Sequence, residues 1–106
     1  MLSYNECWIY NMTMAEKKYD VILTKQFNKK FIKLSREDRN RVVETIRIMK
    51  ADPSYPSLRT KKFKTFKESS VNMDIRILWY FRSSQVIVVF DVGHHDVIRK
   101  YNKHKF

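Results

Sequence analysis

Apolar and polar positions change their period along this chain, and each change marks an element. Residues 19–24, YDVILT, are β-branched and aromatic, the composition of a first strand. From residue 25 to 34 the period becomes helical. Phe27, Phe31 and Leu34 fall at i, i+4 and i+7, one apolar stripe on one helix face. Ser35 followed by Asp38 resembles a capping box with Asp in place of Glu, and starts a second helix. Its stripe is Val42, Ile46 and Met49, supported by Val43, and Arg36, Arg39, Arg41, Arg47 and Lys50 occupy the other face. Two helices with one short joint predict a helical hairpin. It ends at DPSYP, residues 52–56, because proline cannot continue a helix.

Past the prolines the period shortens to two. The stretch SLRTKKFKTFKESS carries Arg59, Lys61, Lys62, Lys64 and Lys67 interleaved with Phe63 and Phe66, a short strand or strand-like loop. In residues 71–81, VNMDIRILWYF, the set Val71, Met73, Ile75, Ile77, Trp79 and Phe81 shares one face. Asn72, Asp74, Arg76, Leu78 and Tyr80 share the other. The first face is expected to pack on the helices and the second to stay open as a working surface. RSSQ turns the chain into VIVVFDV, residues 86–92, which is apolar on both sides and belongs centrally in a sheet. Gly93 ends that strand, and residues 94–101 form a final turn or short helix, with Asp96 a candidate cap. The order is strand, hairpin, then a run of strands. It predicts an α+β domain: a small, mainly antiparallel sheet with an N-terminal helical hairpin on one face.

Length allows one such domain, assigned to residues 16–106. Residues 1–15 show no period and no signal-peptide pattern. They are expected to be an N-terminal extension, either a mobile arm or a start-site artefact with Met12 or Met14 as the true start. No apolar run approaches a membrane span, so no membrane partner is expected.

Charge changes the picture more than length does. Twenty-two Lys and Arg against eleven Asp and Glu leave a net charge of +11, a field that collects polyanions. Nucleic acid, an acidic protein or an anionic membrane all fit that field. The single cysteine, Cys7, excludes an internal disulfide and fits a reducing cytoplasm. His94 and His95 stand side by side after the last strand, with no Cys or His set to complete a metal site, so no metal and no cofactor are expected.

The stretches YDVILTKQFNKKFIKLSREDRNRV, DPSYPSLRTKKFK, MDIRILWYF and VIVVFDVGHHDV, in that order, resemble RelE/ParE-type toxins of toxin–antitoxin modules over residues 19–101. The resemblance implies a RelE-like fold and a toxin neutralised by an acidic antitoxin, the pair binding its own operator DNA. It further implies a ribosome-dependent, metal-independent endoribonuclease, an mRNA interferase that inhibits translation. The alternatives are a ParE-like DNA gyrase poison, or a degenerate toxin that only binds its antitoxin.

The resemblance also carries site residues. The catalytic arginine maps onto Arg76, a lysine nine residues earlier onto Lys67, and a basic or histidine position onto His95. A second lysine would fall on Ser69, a departure. The tyrosine positions hold Ile98 and Arg99, leaving Tyr101 as the nearest candidate. RNA cleavage by the 2′-hydroxyl needs a base, a cation at the phosphorane and an acid. The catalytic set is Arg76 for the phosphate, His95 for proton transfer with His94 as alternate, Lys67 for the RNA backbone and as a charge or second proton-transfer group, and Tyr101 to stack on a base or orient the phosphate. Lys61, Lys62, Lys64 and His94 are assigned to RNA binding. Arg76 has one plain rival role, an ion pair with Asp74 or Glu68.

Overall fold

The computed structural model describes residues 19–96 and Ile98. Strand β1 (Asp20–Leu23) leads into helix α1 (Lys25–Phe31) and helix α2 (Arg36–Ala51). A 3-10 turn (Pro56–Leu58) precedes β2 (Lys61–Lys62), β3 (Lys67–Ser70), β4 (Ile75–Ser83) and β5 (Val86–His94). The five strands form one sheet in the order β1-β5-β4-β3-β2. β1 runs parallel to β5 and the other pairs are antiparallel. The expected α+β architecture, with its helical hairpin and mainly antiparallel sheet, is the observed one, and β5 lies inside the sheet as its apolar sequence required.

Side-chain caps set both helix starts. The Thr24 hydroxyl accepts the Phe27 N–H at 3.2 Å and donates to the Phe90 carbonyl at 3.2 Å, so one residue starts α1 and ties it to β5. The Ser35 hydroxyl accepts the Asp38 N–H at 3.1 Å, as the capping pattern predicts. α1 stops at Phe31, earlier than its apolar stripe suggests. Lys33 and Leu34 bond back to Lys30 and Phe31 in a tight turn instead. Leu34 still packs on the core from that turn.

The main core lies between the hairpin and one face of the sheet. Phe27, Val42, Met49 and Leu58 meet Ile75, Ile77, Trp79, Ile87, Val89 and Val92, all essentially buried. Each such side chain stabilises by roughly 1.5–3 kcal/mol relative to exposure. A β-bulge fits β5 to this core. Leu78 pairs with Asp91 but Trp79 pairs with Val89, so Phe90 is an additional residue on β5. Without it, strict alternation would send Val89 and Val92 to opposite faces. With it, both reach the helices.

The opposite face corrects an expectation: it is not left open along its length. Phe66, Leu78 and Ile98 bury there as a second small core, with Phe63 and Phe90 packed against it. The 71–81 strand is also shorter than its alternation suggests, for a local reason given below.

Candidate active site

The site begins with a turn. The Asn72 side-chain oxygen accepts the N–H groups of Asp74 at 2.8 Å and Ile75 at 2.7 Å. An asparagine bonding to backbone just ahead of it bends the chain instead of extending it. Residues 71–74 therefore form a bend, β4 starts at Ile75, and Met73 stands 87% exposed. The same bend turns carbonyls toward Arg76. Its Nη1 donates to Asn72 O at 2.5 Å, Met73 O at 3.1 Å and Ile75 O at 3.2 Å. Its Nε lies 3.4 Å from the Glu68 carboxylate. The guanidinium is thus held, charged and still in contact with solvent, its side chain 19% exposed. Of the rival partners expected from sequence, Glu68 is the one it meets.

His95 is fixed by the same bend. Its N–H donates to Asp74 O at 2.8 Å. Across the sheet Arg76 pairs with Gly93, two residues before His95. A methyl group added at Gly93 would meet no atom within 4 Å, so the surface directly opposite Arg76 is open. The His95 ring is 45% exposed, with Nε2 3.6 Å from the Asp96 carboxylate. That carboxylate faces His95 from within the turn, since His95 already has helical backbone, and does not cap it. His94 is exposed and pairs with Ile75, so by strand alternation it leaves the sheet on the side away from Arg76. Tyr101 and Arg99 lie outside the described residues.

The lysines do not gather around Arg76, which corrects the grouping expected from spacing. Ser70 pairs with Arg76, and Lys67 pairs with Trp79. Directly opposed residues share a face and the pairs differ by an odd number, so Lys67 lies on the helix side. Its Nζ stands 5.8 Å from the Trp79 ring centre and 5.5 Å from that of Phe81. Glu68, not a lysine, shares the Arg76 face. β2 splits likewise: Lys61 pairs with Glu68 and Lys62 with Lys67. Lys61 therefore stands on the Arg76 side and Lys62 on the other, while Lys64 is exposed in the connecting turn. Ser69, where the resemblance implied a second lysine, is fully buried. It accepts the Trp79 indole N–H at 2.8 Å and bonds the Thr60 hydroxyl at 2.7 Å. A lysine there would bury an ammonium in the core.

Sequence reasoning passed over three contributors. Arg59 has φ 47°, in the left-handed region, and lines a cavity of about 410 Å³ with Ser57, Ser70, Asn72 and Arg76. Asn72 builds the bend, and its position ahead of Asp74 was the available signal. Lys30 reaches the fully buried Asp91 at 2.9 Å, and a lone Asp inside VIVVFDV was the signal for that pair. Among the described residues, no group of three or more His, Cys, Asp or Glu side chains is placed to hold a metal ion. None of their helices is long and apolar enough to cross a membrane.

A helical hairpin on one face of a five-stranded mixed sheet is a fold found in solved RelE-type toxin chains. The chain shares that fold with a chain of the archaeal RelE–RelB complex from Pyrococcus horikoshii, at TM-score 0.65 and 18% identity, covering 73% of this chain and 94% of that one. It shares it with the RelBE2 toxin–antitoxin complex of Mycobacterium tuberculosis, at TM-score 0.62 and 18% identity, covering 73% and 98%. The YoeB/ParE toxin from Agrobacterium tumefaciens matches at TM-score 0.63 and 13% identity, covering 72% and 98%. No family model matches the sequence, and no curated protein matches it significantly.

Proposed function

We propose that this chain is the toxin of a type II toxin–antitoxin pair, and that it is an endoribonuclease cutting mRNA on the ribosome without a metal ion. The observation that carries this reading is the common anchor of Arg76 and His95 on the 71–75 bend, beside the open surface over Gly93. A phosphodiester over Gly93 would meet a guanidinium suited to gripping phosphate oxygens and an imidazole suited to proton transfer. The 2′-oxygen attacks phosphorus and the bond to the 5′-oxygen breaks, leaving a 2′,3′-cyclic phosphate and a 5′-hydroxyl. Arg76 stabilises the charge on the phosphorane, and His95 moves a proton at one of the two oxygens. The backbone carbonyls that hold Nη1 are exchanged for phosphate oxygens on binding.

An acidic antitoxin is the natural inhibitor of a chain with net charge +11, and the relatives above include toxin–antitoxin complexes. The pair would bind operator DNA and act in the cytoplasm. One observation favours a second reading, a toxin that binds its antitoxin but cuts nothing. The Glu68 carboxylate lies 3.4 Å from Arg76, on the face where a cation would help.

The test is primer extension on mRNA incubated with purified protein and ribosomes. Cuts on the ribosome are expected, and Arg76→Ala and His95→Gln should each lower cleavage by about 100-fold or more. Full cleavage by either variant overturns the assigned roles. No cuts at all favours the second reading, and gyrase-linked DNA breaks without mRNA cuts favour a gyrase poison.

A further inference from the structure

The helix side of the sheet carries a groove that the nuclease reading does not use. It has a volume of about 510 Å³, within the range of ligand pockets. Tyr19, Tyr55, Trp79 and Phe81 supply aromatic surface, and Arg59, Lys62 and Lys67 supply charge. Phe81 is 41% exposed, with Tyr19 packed beside it at 6.0 Å between ring centres. Trp79 braces Phe81 edge-on from below at 5.2 Å. The Phe81 ring is therefore fixed in orientation while remaining open to solvent.

The cations are equally placed. The Lys67 ammonium is held over the Trp79 and Phe81 rings, and Lys62 stands beside it on the adjoining strand. Among the described residues, no carboxylate forms an ion pair with Arg59, Lys62 or Lys67. The acidic group in the groove, Asp52, is turned onto Ser54, accepting from its N–H at 3.0 Å and its hydroxyl at 2.7 Å. A fixed exposed ring flanked by unpaired cations is the arrangement that holds a single-stranded nucleic acid, with the base stacked and the phosphates on the cations.

We propose that this groove is a second nucleic-acid site, which takes an unpaired base of single-stranded RNA on Phe81 and its neighbouring phosphates on Lys67, Lys62 and Arg59. Its Phe81 ring and its two lysines lie on the face of the sheet away from Arg76, while Arg59 lines both this groove and the cavity beside Arg76, and the proposal stands whether or not the chain cuts RNA. An acidic peptide satisfies the cations but, unless it carries an aromatic or arginine side chain, gives the Phe81 ring no planar partner.

The test is fluorescence anisotropy with a labelled, non-self-complementary RNA dodecamer and the full chain, without ribosomes. Phe81→Leu, which keeps apolar bulk but removes the stacking plane, should weaken binding on the order of tenfold. Lys67→Met should weaken it and lower the salt slope by about one. Arg76→Ala should leave both effects in place, which separates this site from the nuclease site. Thermal melts establish that each variant is folded, and exposed Lys62→Ala provides a further variant that leaves the core untouched. Wild-type affinity in Phe81→Leu, Lys67→Met and Lys62→Ala overturns the proposal. So does Phe81-dependent binding of an acidic peptide by a chain that does not bind RNA.

Discussion

The two faces of the sheet share the residues of one strand and use them differently. On the helix side, β4 presents Ile75, Ile77 and Trp79 to a continuous core, and a polar group enters only where it has a partner, as Ser69 does with the Trp79 indole. On the other side the same strand presents Arg76, Leu78 and Tyr80, of which Leu78 alone is fully buried. The first face obtains its order from burial. The second does so only around Leu78, and at its open end it obtains order from hydrogen bonds: the Asn72 bend, three carbonyls on Arg76, and the Asp74 carbonyl on the His95 N–H. A side chain held by packing has nothing to exchange. One held by hydrogen bonds in contact with water can trade its partners for a substrate, which is why the proposed chemistry is placed there.

Substitutions on the two faces should therefore fail in different ways. Trp79→Ala removes a core side chain and one of the two hydrogen bonds on the Ser69 hydroxyl, leaving the one to Thr60. It should cost about 3–5 kcal/mol, read from urea denaturation. Phenylalanine at the same position should recover most of that loss. Lys30→Met removes the Lys30 ammonium from the buried Asp91 carboxylate, which keeps the Val92 N–H. Because the Lys30 side chain is 39% exposed, the expected loss is at the lower end of roughly 1.5–3 kcal/mol. Thr24→Ala removes the α1 cap and its tie to Phe90, and should cost about 1 kcal/mol. Glu68→Gln sharpens the contrast most. It keeps a hydrogen-bonding group of the same shape against Arg76, so the stability change should stay within about 1 kcal/mol, and on the proposed nuclease reading it should raise RNA cleavage, because it frees Arg76 from a competing carboxylate. Lower cleavage in that variant would mean that Glu68 positions Arg76 for its role.

Much of the molecule was legible in the chain because local rules and global packing agree there. The Ser35 cap, the Phe27 and Val42–Met49 stripes, and the alternation from Ile75 to Trp79 each follow from a period that one buried face imposes. The face that Arg76 occupies, away from the helices, was legible as well, from a charged residue alternating with strand apolars. Reading failed where a residue's surroundings come from elsewhere in the chain. Val71 and Met73 continue the alternation perfectly, but the Asn72 side chain bends the backbone before they can pair. Phe90 breaks no pattern visible in VIVVFDV, yet it is the bulge that turns Val92 back to the core. Lys67 sits at the spacing the resemblance implied, and the register of the β3–β4 hairpin sends it to the other face.

By itself, the order of apolar and polar residues determined the elements, their sequence along the chain and the side of each that must be covered. Burial acts on every residue of a periodic segment at once, so its imprint survives in any short window. The tertiary structure alone decided which charged groups meet. That depends on hairpin register and on one additional residue in β5, and a shift of a single position moves a side chain from one face of the sheet to the other.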